Sequence, residues 1–575
     1  MKTSVWCIVI LALLSVNKLQ ANELTPILDR SARFHPVVSS SGMVVSQEVV
    51  ASKVGANILA QGGNAVDAAV ATGFALAVTL PQAGNLGGGG FMLVHLANRN
   101  RTIAIDYREM APASAHKTLF QDSQGKVDST MARFSHRSAG TPGTVAGLIH
   151  ALELYGTMTL NQVITPAITL ATEGFHISES LAYSLSRAQS RLRANSASSR
   201  YFFAPDGMPL KKGSLWRQSD LATTLTKIAD EGVQGFYQDS VADLIVDEME
   251  RGGGLITHDD LTNYRVIERQ PVTGTFRGYK VASMPPPSSG GVHLVQMLNI
   301  LEGWDLRSLG HNSGEYLHRL IETMRRAYAD RSEYLGDPDY YPVPVATLID
   351  KTYADQLREE IDLQQASRSE DIKPSLILRE ESPQTTHFSV WDKAGNVVSN
   401  TYTLNFSYGS GISVSGAGFL LNNEMDDFSA KPGFPNAYGL IGNKAICIIE
   451  LTCPLASMTP TIVFKDGKAI MATGSPGGST IITVVLQNIL NRLEFGMNIA
   501  EATAAPRIHH QWLPDTSRVE SGISPDTVNM LKEKGHQIDT EPHVLGRVQA
   551  ITYEGGFLYG ATDSRWPGGA AIPSE

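Results

Sequence analysis

The sequence predicts a mixed α/β (α+β) protein, and three observations predict it. The stretch Gln47 to Val78 is Ala-rich and helical in character, and the pattern from Thr141 through the 320s is again mainly helical. Directly after residue 384 the apolar residues change to the two-residue alternation of strands. The chain of 575 residues is longer than one ordinary domain, and 42% hydrophobic with 18% charged residues is a globular composition able to bury a sizeable core. A formal net charge of −10 and the lack of any long Lys/Arg run exclude a non-specific nucleic-acid binder.

Lys2 supplies a short positive start, Val5 to Val16 are apolar, and Asn17-Lys18 precede the small Ala21. So short a run does not cross a bilayer, which takes roughly 20 residues. It has the layout of a secretory signal over residues 1–21, with a retained anchor as the second reading. Gly62-Gly63 divide the first helical stretch in two, and Gly84 to Gly90 form a turn ahead of an apolar strand, Phe91 to Leu96. Tyr279 to Gly291 predicts a short strand, a break at Pro285 to Pro287, and Ser288-Ser289 capping a helix that opens at Val292. The polar segment Gln364 to Gln384 reads as an exposed linker. Beyond it comes a hairpin: strand Thr386 to Asp392, a turn at 393–396, and strand Val397 to Phe406. Cys7 falls in the signal; Cys447 and Cys453 form either one disulfide or two buried thiols, since sequence separation does not set the Cα distance a bridge requires.

A turn centred on Ala394 and Gly395 sets Thr385 opposite Thr403 or Leu404, with Thr403 and Asn405 on one face. By pattern alone the 384/385 junction is a loop before a hairpin. A threonine at a chain start has a chemistry of its own, however. Its hydroxyl is a weak nucleophile until a base takes the proton, and its own α-amino group, of pKa about 7.7–8.0, is such a base. That amine exists only after cleavage.

Six motifs bear on the question: Gln-Thr-Thr-His-Phe-Ser-Val at 384–390, Asn-Asn-Glu-Met-Asp-Asp-Phe at 422–428, Gly-Ser-Pro-Gly-Gly-Ser at 474–479, the glycine run at 84–90, Asp-Tyr-Arg-Glu at 106–109, and Met-Pro-Pro-Pro-Ser-Ser-Gly-Gly at 284–291. Together, in this order along nearly the whole chain, they resemble the γ-glutamyltransferases (γ-glutamyltranspeptidases). The resemblance implies an N-terminal-nucleophile hydrolase with an αββα sandwich. It implies a precursor that cleaves itself after Gln384 into a large subunit, residues 22–384, and a small one, residues 385–575, which stay together as a heterodimer. The implied reaction splits glutathione and other γ-glutamyl amides through a γ-glutamyl ester, passing the group to water, amino acids or dipeptides, with no cofactor and no metal. An exported location follows, periplasmic or secreted.

Residue by residue, Thr385 matches the nucleophile and Thr403 the support of its hydroxyl. Asn405, Glu424 and Asp427 match positions around the glutamyl α-amino group, and Arg108 and Ser457 match binders of its α-carboxylate. Gly477 and Gly478 match backbone donors of the oxyanion hole, and Tyr438 a lid tyrosine. Two departures stand out. Ala456-Ser457 replaces the family's Ser-Ser, removing one hydroxyl donor to the carboxylate, and Ala445 to Cys453 is apolar where the family is polar. Two rival readings follow from them: a related glutaryl or cephalosporin acylase, and an unprocessed, non-catalytic homologue.

Plainer explanations cover the remaining candidates. Gly87 to Gly90 lacks the ending of a phosphate loop and suits close packing of strand and helix. His509-His510 has no further ligands at metal spacing, and Asp337-Pro338-Asp339 is a turn. Asn100-Arg101-Thr102 and Asn405-Phe406-Ser407 fit the glycosylation pattern.

Overall fold

The computed structural model describes residues 32–372, 385–428, 451–539 and 541–574. The signal at 1–21, Gln384, Tyr438 and Cys447 lie outside the described residues. Two seven-stranded sheets form the centre. Their strands, in chain order, are β1 (Val37–Ser39), β2 (Met43–Ser46), β3 (Gly89–Leu96), β4 (Arg101–Tyr107), β5 (Ile267–Arg269), β6 (Val272–Phe276) and β7 (Tyr279–Ser283). After the 384/385 junction come β8 (Thr386–Trp391), β9 (Val397–Thr403), β10 (Thr461–Lys465), β11 (Lys468–Gly474), β12 (Gln549–Glu554), β13 (Phe557–Thr562) and β14 (Ala570–Pro573). One sheet runs β14-β2-β8-β9-β3-β4-β5 and the other β1-β13-β12-β11-β10-β7-β6. Each therefore interleaves strands from both sides of the junction, so neither portion of the chain completes a sheet alone.

The strand alternation decides what each face buries. Phe388, Val390, Val398 and Tyr402 enter one core with helices α1 (Val49–Ala60), α2 (Ala65–Thr79) and α3 (Thr144–Tyr155). Trp391, Val397, Phe91 and Leu93 enter a second core with β10, β11 and helices α4 (Gly290–Glu302), α5 (Gly314–Tyr334) and α6 (Thr480–Leu493). The result is the αββα sandwich. Buried hydroxyls tie the sheets together: Ser389 Oγ donates to the Gln549 carbonyl and Ser399 Oγ to that of Thr473, both at 3.1 Å. Such bonds matter because a buried hydroxyl left unpaired costs about 1–3 kcal/mol.

The hairpin register pairs Thr386 with Tyr402 and Trp391 with Val397, which places Thr385 across from Thr403. Both strands are shorter than the sequence pattern suggests. The Asp392 carboxylate leaves the ladder to accept from Asn396 N, Asn396 Nδ2 and Ala65 N at 2.8–2.9 Å, stapling the turn to the start of α2. Asn405 takes φ +71°, which bends the chain out of β9. Strands β5 and β6 interrupt the expected helical run, and β7 is the short strand expected from Tyr279. Helix α4 opens at Gly290, not Val292, because Ser288 Oγ accepts from Gly290 N at 3.1 Å. The other serine is not a side-chain cap; Ser289 Oγ donates to the Ala456 carbonyl at 2.8 Å. The glycine run does serve close packing, but chiefly against neighbouring backbone: a Cβ on Gly88 would overlap the Thr403 carbonyl.

Candidate active site

The open ends of β9 and β11 and the start of β8 meet at one end of the sandwich. Thr385 is buried there, and its Oγ1 lies 3.4 Å from Thr403 Oγ1, positioned to donate to it. Thr403 Oγ1 is held in turn by Asn405 N at 2.9 Å. The positive φ of Asn405 makes that two-residue return bond reachable. Behind the pair, His387 Nδ1 lies 2.8 Å from Thr401 Oγ1, and burial pushes its pKa down to about 3. His387 is therefore neutral and sits on the strand beneath Thr385, not above it as a base. Its ring resonances should stay fixed from about pH 5 to about pH 9 in an NMR titration, whereas a free imidazole moves near 6.5. A transition near 6.5 would make His387 a candidate base beside Thr385.

A second group of charges approaches from two loops. Arg108 continues from β4, and Glu424 and Asp427 lie on the short helix Glu424–Asp427. Asn422 aims this helix: its side chain accepts from Gly140 N and Glu424 N and donates to the carbonyls of Gly87 and Gly140, all at 2.7–3.0 Å. Arg108 is nearly buried and stands within salt-bridge distance of Glu109 (3.2 Å), Glu424 (2.9 Å) and Asp427 (2.6 Å). Burial pushes the Glu424 carboxyl well above the usual carboxylate range and raises Asp427 and Glu109, while Arg108 pulls each back down. Burial also works against the Arg108 cation, but the carboxylates outweigh it and hold it charged. Three buried carboxyl groups therefore share the Arg108 guanidinium, with Arg331 as a second cation near Asp427, and burial favours a proton on Glu424 and Glu109 while no further cation is present. Glu424 Oε1 and Asp427 Oδ1 have no hydrogen-bond partner among the described residues. A cationic, hydrogen-bond-donating group would satisfy these oxygens and favour ionised carboxylates.

The third element is the turn from β11 into α6. Gly477 has φ +144° and Gly478 φ +57°, values that favour glycine. Neither gives its N–H to a described backbone acceptor, and both precede the N-terminus of α6, where the helix dipole adds positive potential. Thr385, Thr403, Asn405, Arg108, Glu424, Asp427, Ser457 and Gly478 line a single cavity, with Gly477 adjoining it.

Arg331, in the last turn of α5, lines the cavity and escapes a reading by motif. A buried arginine within a helix has no local signature, and only packing shows that it faces this cavity. The decoys resolve as structural. His509 Nδ1 lies 2.8 Å from Thr483 Oγ1, and His509 and His510 are held neutral by burial. No group of potential metal ligands occurs among the described residues. Asp337 Oδ2 accepts from Cys453 N at 2.8 Å, so that turn anchors the chain beside the site. Asn405 is buried, which removes it as a glycosylation acceptor in the folded chain.

Comparisons with known proteins agree with this geometry. The model of the Gamma-glutamyltranspeptidase family matches residues 51–572. The chain is 52% identical over 533 residues to the glutathione hydrolase proenzyme of Escherichia coli (strain K12), covering 92% of each. In structure it matches the cephalosporin acylase from Bacillus halodurans with a TM-score of 0.83 at 27% identity, over 95% of this chain and 98% of that one. It also matches the Helicobacter pylori gamma-glutamyltranspeptidase with a TM-score of 0.56 at 48% identity, over 56% of this chain and 93% of that one.

Proposed function

The chain belongs to the gamma-glutamyltranspeptidase family, as a self-processing γ-glutamyltransferase and glutathione hydrolase, and on that premise we propose that Thr385 is the residue at which both self-cleavage and turnover occur. The observation that carries this is the one cavity holding Thr385, Thr403 and the Arg108–Glu424–Asp427 cluster.

In maturation, Thr385 Oγ attacks the Gln384 carbonyl, the peptide nitrogen leaves, and water hydrolyses the resulting ester. This frees the Thr385 amine and separates a large subunit, 22–384, from a small one, 385–575. The interleaved sheets keep the two together as a heterodimer. In turnover the amine takes the Oγ proton as Oγ bonds to the γ-carbonyl carbon. The carbonyl oxygen becomes an oxyanion facing the N–H groups of Gly477 and Gly478. When the amide C–N bond breaks, the ammonium returns its proton to the departing amine. Water, an amino acid or a dipeptide then takes the γ-glutamyl group by the reverse steps. Asp427, Glu424 and Asn405 receive the substrate ammonium, while Arg108 and Ser457 face its carboxylate. Among the described residues no helix is long and apolar enough to cross a membrane, and export to the periplasm or beyond follows from the signal at 1–21.

The substrate claim turns on the acidic cluster and its unpartnered oxygens. A glutaryl group carries the carboxylate but no ammonium, so it gives those oxygens no donor. Asp427→Asn should lower kcat/KM for γ-glutamyl-p-nitroanilide about tenfold to a hundredfold, the loss of one charge-assisted hydrogen bond. Hydrolysis of the glutaryl analogue should hold or improve. If the wild-type protein preferred the glutaryl amide, the acylase reading would replace this one. On a denaturing gel the purified protein should show two bands, the smaller beginning Thr385-Thr386-His387; one uncut band would support a non-catalytic homologue.

A further inference from the structure

Ser457 offers the substrate carboxylate a single hydroxyl, next to an alanine that offers none. What directs that hydroxyl is visible in the packing around it. Arg331 is buried, and it donates from Nη2 to Ser457 Oγ at 3.0 Å and from Nε to Ser289 Oγ at 2.8 Å. Ser289 in turn donates from both Oγ and N to the Ala456 carbonyl at 2.8 Å, and Ser288 Oγ donates to the Met458 carbonyl at 2.6 Å. The segment 456–458 is thereby clamped to α5 and to the start of α4, and Arg331 itself lines the cavity.

The chemistry of the pair has one direction. A guanidinium only donates, so Ser457 Oγ accepts from Arg331 and keeps its own proton to give. Ser457 lines the cavity, so a bound substrate is placed to accept that proton. A carboxylate there is a strong acceptor, and the Arg331 charge favours it further. Arg108, by contrast, already stands among three carboxylates.

We infer that Arg331 is a positioning residue of the glutamyl subsite, holding the Ser457 hydroxyl so that its proton points to the substrate α-carboxylate. With Ala456 in place of a second hydroxyl, this clamp makes Ser457 the sole side-chain hydroxyl of the 456–457 pair, and its aim sets KM. The inference rests on the γ-glutamyl reading of the site.

The test uses the self-cleaved heterodimer and two anilides: γ-glutamyl-p-nitroanilide, and 4-aminobutanoyl-p-nitroanilide, which keeps the ammonium and lacks the carboxylate. Arg331→Gln should raise KM for the first about tenfold to a hundredfold, with kcat within a few-fold. It should leave KM for the second unchanged. In a Ser457→Ala background the same substitution should add little, because the hydroxyl it aims is gone. Ser289→Ala, a smaller change that removes the Nε anchor and the Oγ bond to the Ala456 carbonyl but keeps the Ser289 N–H bond to that carbonyl, should give a few-fold rise in KM that also vanishes with Ser457→Ala.

Equal effects on both substrates, or additive effects in the Ser457→Ala background, would overturn the inference while leaving the γ-glutamyl reading intact. If Arg331→Gln blocks self-cleavage, the Ser289→Ala and Ser457→Ala cycle decides by itself. A wild-type enzyme that turns over neither anilide overturns the γ-glutamyl reading, and this inference with it.

Discussion

Thr385→Ala is expected to leave a single uncut chain and no measurable turnover, a loss of at least about 10⁴-fold. The reason is that one oxygen serves two reactions. Without Oγ there is no attack on the Gln384 carbonyl, and without cleavage there is no amine to act as base. Replacement by serine separates the roles: Ser keeps a hydroxyl, so cleavage and some turnover should persist, slowed by the missing methyl that packs the side chain beside Thr403. The measurement is a denaturing gel over time together with release of p-nitroaniline. Complete cleavage of the alanine variant would show that another protease makes the cut, and Thr385 would lose its role in maturation.

Gly477→Ala is the second large effect. At φ +144° an L-residue is strained whatever the space, and here a Cβ would also overlap Thr480 Oγ1, which accompanies the first turn of α6. The turn must move, and the N–H groups aimed at the oxyanion move with it. Misplacing one such donor costs about 10²–10³ in kcat, so kcat should fall by that much with KM little changed. Gly478→Ala should be milder. Its φ of +57° is the left-handed region that an L-residue enters at about 1–2 kcal/mol. Self-cleavage should also slow in Gly477→Ala, since the Gln384 carbonyl passes through a similar oxyanion. An unchanged kcat in a folded, self-cleaved Gly477→Ala enzyme would remove this turn from the mechanism.

Much of the site is legible in the amino-acid sequence. The hairpin is local, so the turn at 393–396 and the two-residue alternation are enough to place Thr385 opposite Thr403. Gly62-Gly63 likewise mark the break between α1 and α2. Hydrophobic periodicity overruns the ends of β8 and β9, because these are set by Asp392 reaching Ala65 and by the backbone of Asn405. Ser289 stands where a helix cap would and is a tether instead, because its partner, the Ala456 carbonyl, lies 167 residues away in sequence. Arg331 leaves no trace in the local pattern for the same reason. Strands β5 and β6 are hidden inside a mainly helical stretch, where short strands carry too few residues to show a period; the strand expected from Tyr279 is present as β7.

By itself the sequence determined the fold class and the family, and it singled out Thr385 as the proposed nucleophile, because motifs and short-range pairing depend on neighbours along the chain. Only the tertiary structure decided how those groups meet. It set three buried carboxyl groups around Arg108, with oxygens of Glu424 and Asp427 left open to a donor, and it clamped Ser457 through Arg331. It also threaded strands from both sides of residue 384 through each sheet. Charge balance and burial are properties of groups brought together from distant parts of the chain, and no local pattern encodes their sum.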